Sequence, residues 1–380
     1  MSATFGLFLP RNIRFGRGAA GATADAAMAL GERPLLVHGA CAGRADWLIQ
    51  ALDAVGRKPW GIACPREPDV GLIEQGVALG REVNADVVVG LGGGSVIDMA
   101  KAVAGLIPAH GEVIDYLEVV GGGQTLDAEP LPFVAVPTTA GTGTEATRNA
   151  VIDVPSARRK VSLRDPRLLP ATAIVDPALT DATPRHVTLA SGLDAITQVI
   201  EPYISCQANR FTDALCREAI PVGLQALVRL MTDEDPAARD DMAWVSLSGG
   251  LALANAKLGA VHGLAGPLGG VTDMPHGAIA GALLPPVLRA NREVVQGSVA
   301  TRIHEVEQWI AGALACGSDE AIDRLAAWSR AKGLPGLGTA GLESSSLAAI
   351  AEAAAGSSSM KGNPVVLPAA RLVQAMEEAW

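Results

Sequence analysis

The sequence predicts an α/β half followed by a helical half, an α/β plus all-α chain. Up to about Thr180, short β-branched apolar runs alternate with helical stretches. Two of those runs lead directly into loops of glycine and threonine. Beyond Asp176-Pro177, long Ala/Leu-rich segments take over and β-branched runs become sparse. Alternating strand and helix patterns imply a mostly parallel sheet with helices on both faces. The boundary is expected between Thr180 and Arg185, giving units of 1–180 and 181–380. No long linker, low-complexity tract or repeat of roughly 20–50 residues separates them.

Pro34–Gly39 reads as a strand and Trp47 to Val55 as a helix. Trp60–Cys64 and Asp86–Leu91 are further strands, the latter running into Gly92-Gly93-Gly94. A helix is expected from Ser95, with Ser95 and Asp98 spaced as a capping box. The glycines permit positive φ and close approach to bare backbone. A helix N-terminus opening from such a loop suits a phosphate, because free N–H groups and the macrodipole point at it. A tight strand-to-helix turn without a ligand fits the same residues. The spacing matches neither G-x-x-x-x-G-K-[ST] nor a clean G-x-G-x-x-G. Pro132–Pro137 is the next strand, followed by the loop Thr138-Thr139-Ala140-Gly141-Thr142-Gly143-Thr144-Glu145. Its hydroxyls and N–H groups suit a pyrophosphate and a ribose; on its own it reads as a polar Gly/Thr turn. Ligands of parallel sheets bind at the carboxyl ends of strands, where both loops fall.

In the second half, Thr212 to Met231, Ala243 to Leu264 and Glu305 to Ala315 read as helices. Asp194 and Gln198 stand at i,i+4 and share a helix face. His262 lies in an apolar helix, and His276 follows Pro275 at the edge of the next. An Asp and two His converging from three segments would suit a catalytic Zn²⁺ or Fe²⁺ with an open position. Spacing alone favours a buried hydrogen-bonding residue over a ligand at either histidine. Glu201, one turn beyond Gln198, is a partner for such ligands or a buried structural acid.

Length and composition bound these readings. A chain of 380 residues exceeds one ordinary core. With 49% hydrophobic and 18% charged residues it is not disordered, and a net charge of −10 argues against nucleic-acid or anionic-membrane binding. Five scattered cysteines without a C-x-x-C pair argue against disulfides and a cysteine zinc site. Met1 to Ala20 has no apolar secretory core, and apolar runs are broken before spanning length. The expectation is a soluble, cytoplasmic protein.

GGGSVIDMAK, PTTAGTGTEAT and DAITQVIEPY, in this order, resemble the iron-containing alcohol dehydrogenase family. The resemblance runs from Phe8-Leu9-Pro10 to Lys361-Gly362-Asn363-Pro364. It implies a Rossmann-like dinucleotide-binding domain, a helical metal and substrate domain, and an active site in the cleft between them. The implied reaction is hydride transfer between NAD(P) and an alcohol, aldehyde or ketone carbon, with a divalent metal polarising the substrate oxygen. A homodimer is implied by the same analogy. Carried over by position, Asp194, His262 and His276 match three family metal ligands. Gln198 falls where the usual D-A-x-x-H pattern has a histidine, and Gly266 where many members place another. His262 and His276 are the candidate catalytic side chains. Gly93, Gly94 and Ser95 fall at the pyrophosphate, Thr138, Thr139 and Thr142 near phosphates and ribose, and Lys160 near the nicotinamide ribose. Gly39 stands where NAD-selective members place an aspartate, and Arg44 lies nearby, so NADP should be tolerated alongside NAD. Gly39 is also readable as a simple strand-end turn. Gly266 should enlarge the pocket for a bulkier substrate.

Other readings differ in kind. One is a metal-independent pocket like that of maleylacetate reductases, with His262 and His276 orienting the substrate. Another is a dehydroquinate-synthase-like lyase, disfavoured because little Lys or Arg beyond Lys257 lies near Asp194 and His262. The last is a dinucleotide-binding protein that has lost catalysis through Gln198 and Gly266.

Overall fold

The structure, a computed structural model, describes residues 4–380. Its first unit holds eight strands: β1 Asn12–Phe15, β2 Pro34–Gly39, β3 Trp60–Cys64, β4 Val87–Gly92, β5 Phe133–Pro137, β6 Asn149–Val154, β7 Arg159–Arg164 and β8 Thr172–Val175. Four helices accompany them: α1 Thr23–Met28, α2 Asp46–Ala54, α3 Val70–Glu82 and α4 Gly94–Leu106. Six strands form one parallel sheet in the order β1-β8-β5-β4-β2-β3, and β6 and β7 pair as an antiparallel hairpin.

Alternation along the strands builds two apolar layers. Leu35, Val37 and Val88 pack with Ile73 and Val77 of α3 and Ile97 and Met99 of α4. Their neighbours Leu36 and Val89 pack on the other side with Ala24 and Ala27 of α1 and Leu48 and Leu52 of α2. Successive side chains point to opposite faces, so a strand covered on both sides must be apolar throughout. β4 is such a strand, buried along its whole length. Each fully buried Leu, Ile or Val contributes about 1.5–3 kcal/mol.

The strand order reverses at β2 and β4, which are neighbours in register from Pro34↔Val87 to His38↔Leu91. The carboxyl ends of β2, β4 and β5 therefore lie side by side, the place where doubly wound sheets bind ligands.

The second unit comprises mainly Asp181–Trp380, together with the short segment Ala140–Gly143. Its helices are α5 Arg185–Ile204, α6 Arg210–Leu230, α7 Pro236–Ala256, α8 Ala260–Gly269, α9 His276–Arg292, α10 Gly297–Leu314, α11 Ala321–Ala331, α12 Leu347–Ala355 and α13 Ala369–Glu378. One apolar core runs through them, including Ile196, Val199 and Ile200 of α5, Leu227 of α6 and Ile279 and Leu283 of α9. Among the described residues no helix is long and apolar enough to cross a membrane.

Three local expectations need correction. Ala243 to Leu264 is two helices, α7 and α8, because Lys257 takes φ +60° and turns the chain. The helix after the glycine loop is capped by Gly93 without a side-chain bond, so Ser95 and Asp98 form no capping box. None of Gly92, Gly93 and Gly94 has positive φ. Small size matters at Gly92, where a Cβ would stand 2.5 Å from Val96.

Candidate metal and cofactor sites

Three helices of the second unit bring Asp194, His262 and His276 together. Asp194 projects from the middle of α5 and is 1% exposed. His262 sits in the first turn of α8, and His276 is the first residue of α9. Gly277 allows α9 to seat so closely on α5, since a Cβ there would lie 2.5 Å from the Ala190 carbonyl oxygen.

His262 Nε2 lies 3.2 Å from Asp194 Oδ1, and His276 Nε2 lies 3.8 Å from the same oxygen. All three donor atoms fall within 4.8 Å of one another. Two ligands at ordinary zinc distances and tetrahedral angles stand about 3.4 Å apart. The donor set, two imidazoles and a carboxylate, suits Zn²⁺ or Fe²⁺. The residues therefore fit a divalent metal.

The start of α8 is held by two buried side chains. Asn363 Oδ1 accepts from Ala260 N–H at 3.1 Å, and Glu201 Oε1 accepts from Val261 N–H at 2.7 Å. The other Glu201 oxygen meets His262 Nδ1 at 2.6 Å. Burial works to lower the His262 pKa, but the Glu201 charge and the bonds to Asp194 and Glu201 raise it to about 10. Burial would raise Asp194, yet the charge of His276 and the contact with His262 bring it below the ordinary carboxylate range. A cation bound at Nε2 would take the place of the proton that this nitrogen otherwise holds against Asp194.

Gln198 is 3% exposed and lies one turn along from Asp194. Its Nε2 donates to the Gly141 carbonyl at 2.9 Å, while Gly141 N–H donates to Ser246 Oγ of α7 at 2.9 Å. Gly143, at φ +58°, packs backbone against backbone with Gly250. The segment Ala140–Gly143, with Thr142 in it, is thereby bound to α5 and α7. The sequence boundary at 180 would group this segment with the first half, whereas it clusters with residues 181–380.

In the α/β unit, Gly93, Gly94 and Ser95 are half-buried at the carboxyl end of β4. Thr138 and Thr139 follow β5, with Thr138 N–H donating to the Gly92 carbonyl at 2.9 Å. Gly39 ends the adjacent β2, and Arg44 beyond it is exposed. The structure thus gathers Gly39, Gly93, Gly94, Ser95, Thr138 and Thr139 along one edge of the sheet. Lys160 lies on β7 and pairs with Glu67, three residues beyond the end of β3.

Behind that edge lies a charge network that the sequence reading missed. Lys101 of α4 is fully buried, and its ammonium donates to the carbonyls of Thr144, Thr147 and Asn149 at 2.8, 2.9 and 2.8 Å. The hydroxyls of Thr147 and Thr144 lie within reach of the same ammonium at 2.9 and 3.3 Å, so acceptors surround all three of its protons. Burial pushes Lys101 down to about 8, against the attraction of Asp98 and Glu145. Burial raises Asp98 to about 6 and Glu145 to about 7, despite their attraction to Lys101. Thr144 donates its hydroxyl to Asp98. A lysine within an apolar helix was the available signal for Lys101; its carbonyl partners, over 40 residues away, gave none. Asn363 was legible only as part of the Lys361–Pro364 segment. The buried thiols of Cys64 and Cys216 are pushed up by desolvation, Cys64 to about 12, so neither is poised as a thiolate.

Comparison with known proteins agrees with this geometry. Residues 10–177 match the iron-containing alcohol dehydrogenase family, and residues 188–380 match the C-terminal region of the same family. The chain belongs to the iron-containing alcohol dehydrogenase family. It is 32% identical to alcohol dehydrogenase 4 of Saccharomyces cerevisiae over 393 aligned residues, spanning 100% of both chains. Lactaldehyde reductase of Escherichia coli is 32% identical over 378, spanning 96% of this chain and 97% of that one. Among solved structures, alcohol dehydrogenase from Oenococcus oeni matches with TM-score 0.88 and 25% identity over 99% of this chain and 100% of that one. Sulfoacetaldehyde reductase from Bifidobacterium kashiwanohense, solved with NAD⁺, matches with TM-score 0.85 and 25% identity over 99% of this chain and 98% of that one.

Proposed function

We propose that this protein is an NAD(P)-dependent oxidoreductase that interconverts an alcohol with an aldehyde or ketone. The observation that carries this reading is the convergence of Asp194, His262 and His276 within 4.8 Å in a chain of this family. These residues would hold Zn²⁺ or Fe²⁺, with the Gln198 amide oxygen as a weak fourth donor. A cation so held supplies Lewis-acid polarisation of the substrate oxygen, and the nicotinamide supplies hydride exchange.

The chain's own residues bind and orient. Free N–H groups at the start of α4, around Gly93, Gly94 and Ser95, receive the pyrophosphate. Thr138, Thr139 and Thr142 offer hydroxyls to phosphates and ribose, and Lys160 offers its ammonium to the nicotinamide ribose. Gly39 brings no carboxylate to repel a 2′-phosphate, so both NAD and NADP are accepted. Gly266 adds no side chain to α8, which favours a bulkier alcohol or aldehyde. His276, 34% exposed at its side chain, is the ligand with access to solvent and the candidate for moving a proton.

Elemental analysis of untagged, anaerobically purified protein tests the reading, with His262→Ala as control. Near-stoichiometric zinc or iron, lost in the variant, together with aldehyde reduction by NADH or NADPH, is the expected result. Absence of bound metal after reconstitution would overturn the Lewis-acid part. Absence of turnover across short and long aldehydes would favour a binding-only protein.

A further inference from the structure

We infer that Glu201 is a positioning residue that decides which ring nitrogen of His262 can bind a metal. The inference rests on the metal reading above and adds a tautomer to it. A backbone N–H is a donor only, so Glu201 Oε1, 2.7 Å from Val261 N, must accept. The second Glu201 oxygen accepts in the same way, so His262 Nδ1, 2.6 Å away, carries a proton. That leaves Nε2, the nitrogen 3.2 Å from Asp194 Oδ1, for the cation.

The seat of Glu201 is built for this. The carboxylate is 3% exposed and lies at the N-terminus of α8, where the helix dipole favours negative charge. Gly259 makes room for it, since a Cβ there would stand 2.8 Å from Glu201 Oε1. Helix capping and ligand orientation thus use the two oxygens of one carboxylate.

Glu201→Gln separates these roles. The amide oxygen must stay on Val261 N–H, because the amide nitrogen would meet another donor there. The NH₂ group then faces His262 Nδ1 and demands a bare nitrogen. The ring proton moves to Nε2, where it donates to Asp194 and blocks metal binding. The variant should keep a melting temperature close to the wild type's and lose about 10–100-fold in Zn²⁺ affinity, read by competition with a chromophoric chelator. Glu201→Ala leaves the tautomer free, so it should be less stable than Glu201→Gln yet bind Zn²⁺ more tightly. A purely structural cap predicts the reverse order.

Nitrogen NMR of metal-free protein labelled at histidine gives a readout independent of metal. Nδ1 of His262 should be protonated in the wild type, and bare with Nε2 protonated in Glu201→Gln. A bare Nδ1 in the wild type, or Zn²⁺ affinity of Glu201→Gln within about twofold of it, overturns the inference. Failure of the wild type to bind Zn²⁺ would instead overturn the metal reading and leave the NMR result to decide the tautomer.

Discussion

The Gln198 side chain ties down the Gly141 carbonyl through a 2.9 Å hydrogen bond from its amide nitrogen. A carbonyl accepts only, so the amide orientation is fixed and its oxygen remains for another partner. Replacing Gln198 by His exchanges a weak oxygen donor for an imidazole. We expect Gln198→His to raise Zn²⁺ affinity by about tenfold or more, measured by chelator competition. Unchanged affinity would mean that position 198 serves only the Gly141 contact.

Gly277 sets the spacing between α9 and α5. Gly277→Ala places a methyl 2.5 Å from the Ala190 carbonyl oxygen and 3.2 Å from Asp194 Cβ. α9 must shift, at a cost of about 1–3 kcal/mol, and carry His276 away from Asp194. Chemical denaturation and a Zn²⁺ titration should both register the change. Gly312→Ala in α10 is the contrasting case, because a Cβ there meets nothing within 4 Å. It should gain about 0.5–1 kcal/mol with Zn²⁺ affinity intact.

Lys101 holds three backbone carbonyls with one ammonium. Lys101→Met leaves those carbonyls unpaired and Asp98 without its nearest positive charge. Each buried acceptor left without a donor costs about 1–3 kcal/mol, so the three together give a loss of several kcal/mol. Urea unfolding of the variant should show a loss of that size, and near-neutrality would contradict the network.

Glu145 makes stability pH-dependent in an uncommon direction. Burial raises its folded-state pKa to about 7, so between pH 4.5 and 7 the folded chain keeps a proton that the unfolded chain has released. Stability from this group therefore falls as pH rises through that window and levels off above it. Glu145→Gln removes the effect. Its stability relative to wild type should increase by up to about 3 kcal/mol between pH 5 and pH 8. A constant difference across that range would contradict the assignment.

Much of the sheet was legible because each buried strand is a short apolar run bounded by Gly, Pro or a polar residue. Pro34–Gly39 and Trp60–Cys64 match their expected spans. The break between α7 and α8 was hidden because Lys257 takes positive φ without the glycine or asparagine that usually marks it. Spacing does not separate Asp98 as a capping acid from Asp98 as a buried acid, because both fit the same distance from a helix start. Asp194, His262 and His276 were visible as residue types in a familiar order, and the fold supplied their convergence. The use of both Glu201 oxygens was not visible, since it depends on α5 and α8 meeting at one point.

The four residues Ala140–Gly143 limit how this chain can be taken apart. They lie within the 10–177 match, yet they pack with the helices of the 188–380 match. A fragment beginning at Asp181 would lack the peptide that pairs with Gln198, Ser246 and Gly250. Its rescue by an added peptide spanning 138–145 would resemble fragment complementation rather than domain assembly. A chimaera joining this C-terminal region to a relative's N-terminal half would inherit a foreign peptide in that seat. Exchange between family members is therefore constrained at residues 198, 246 and 250, far in sequence from any junction an engineer would choose.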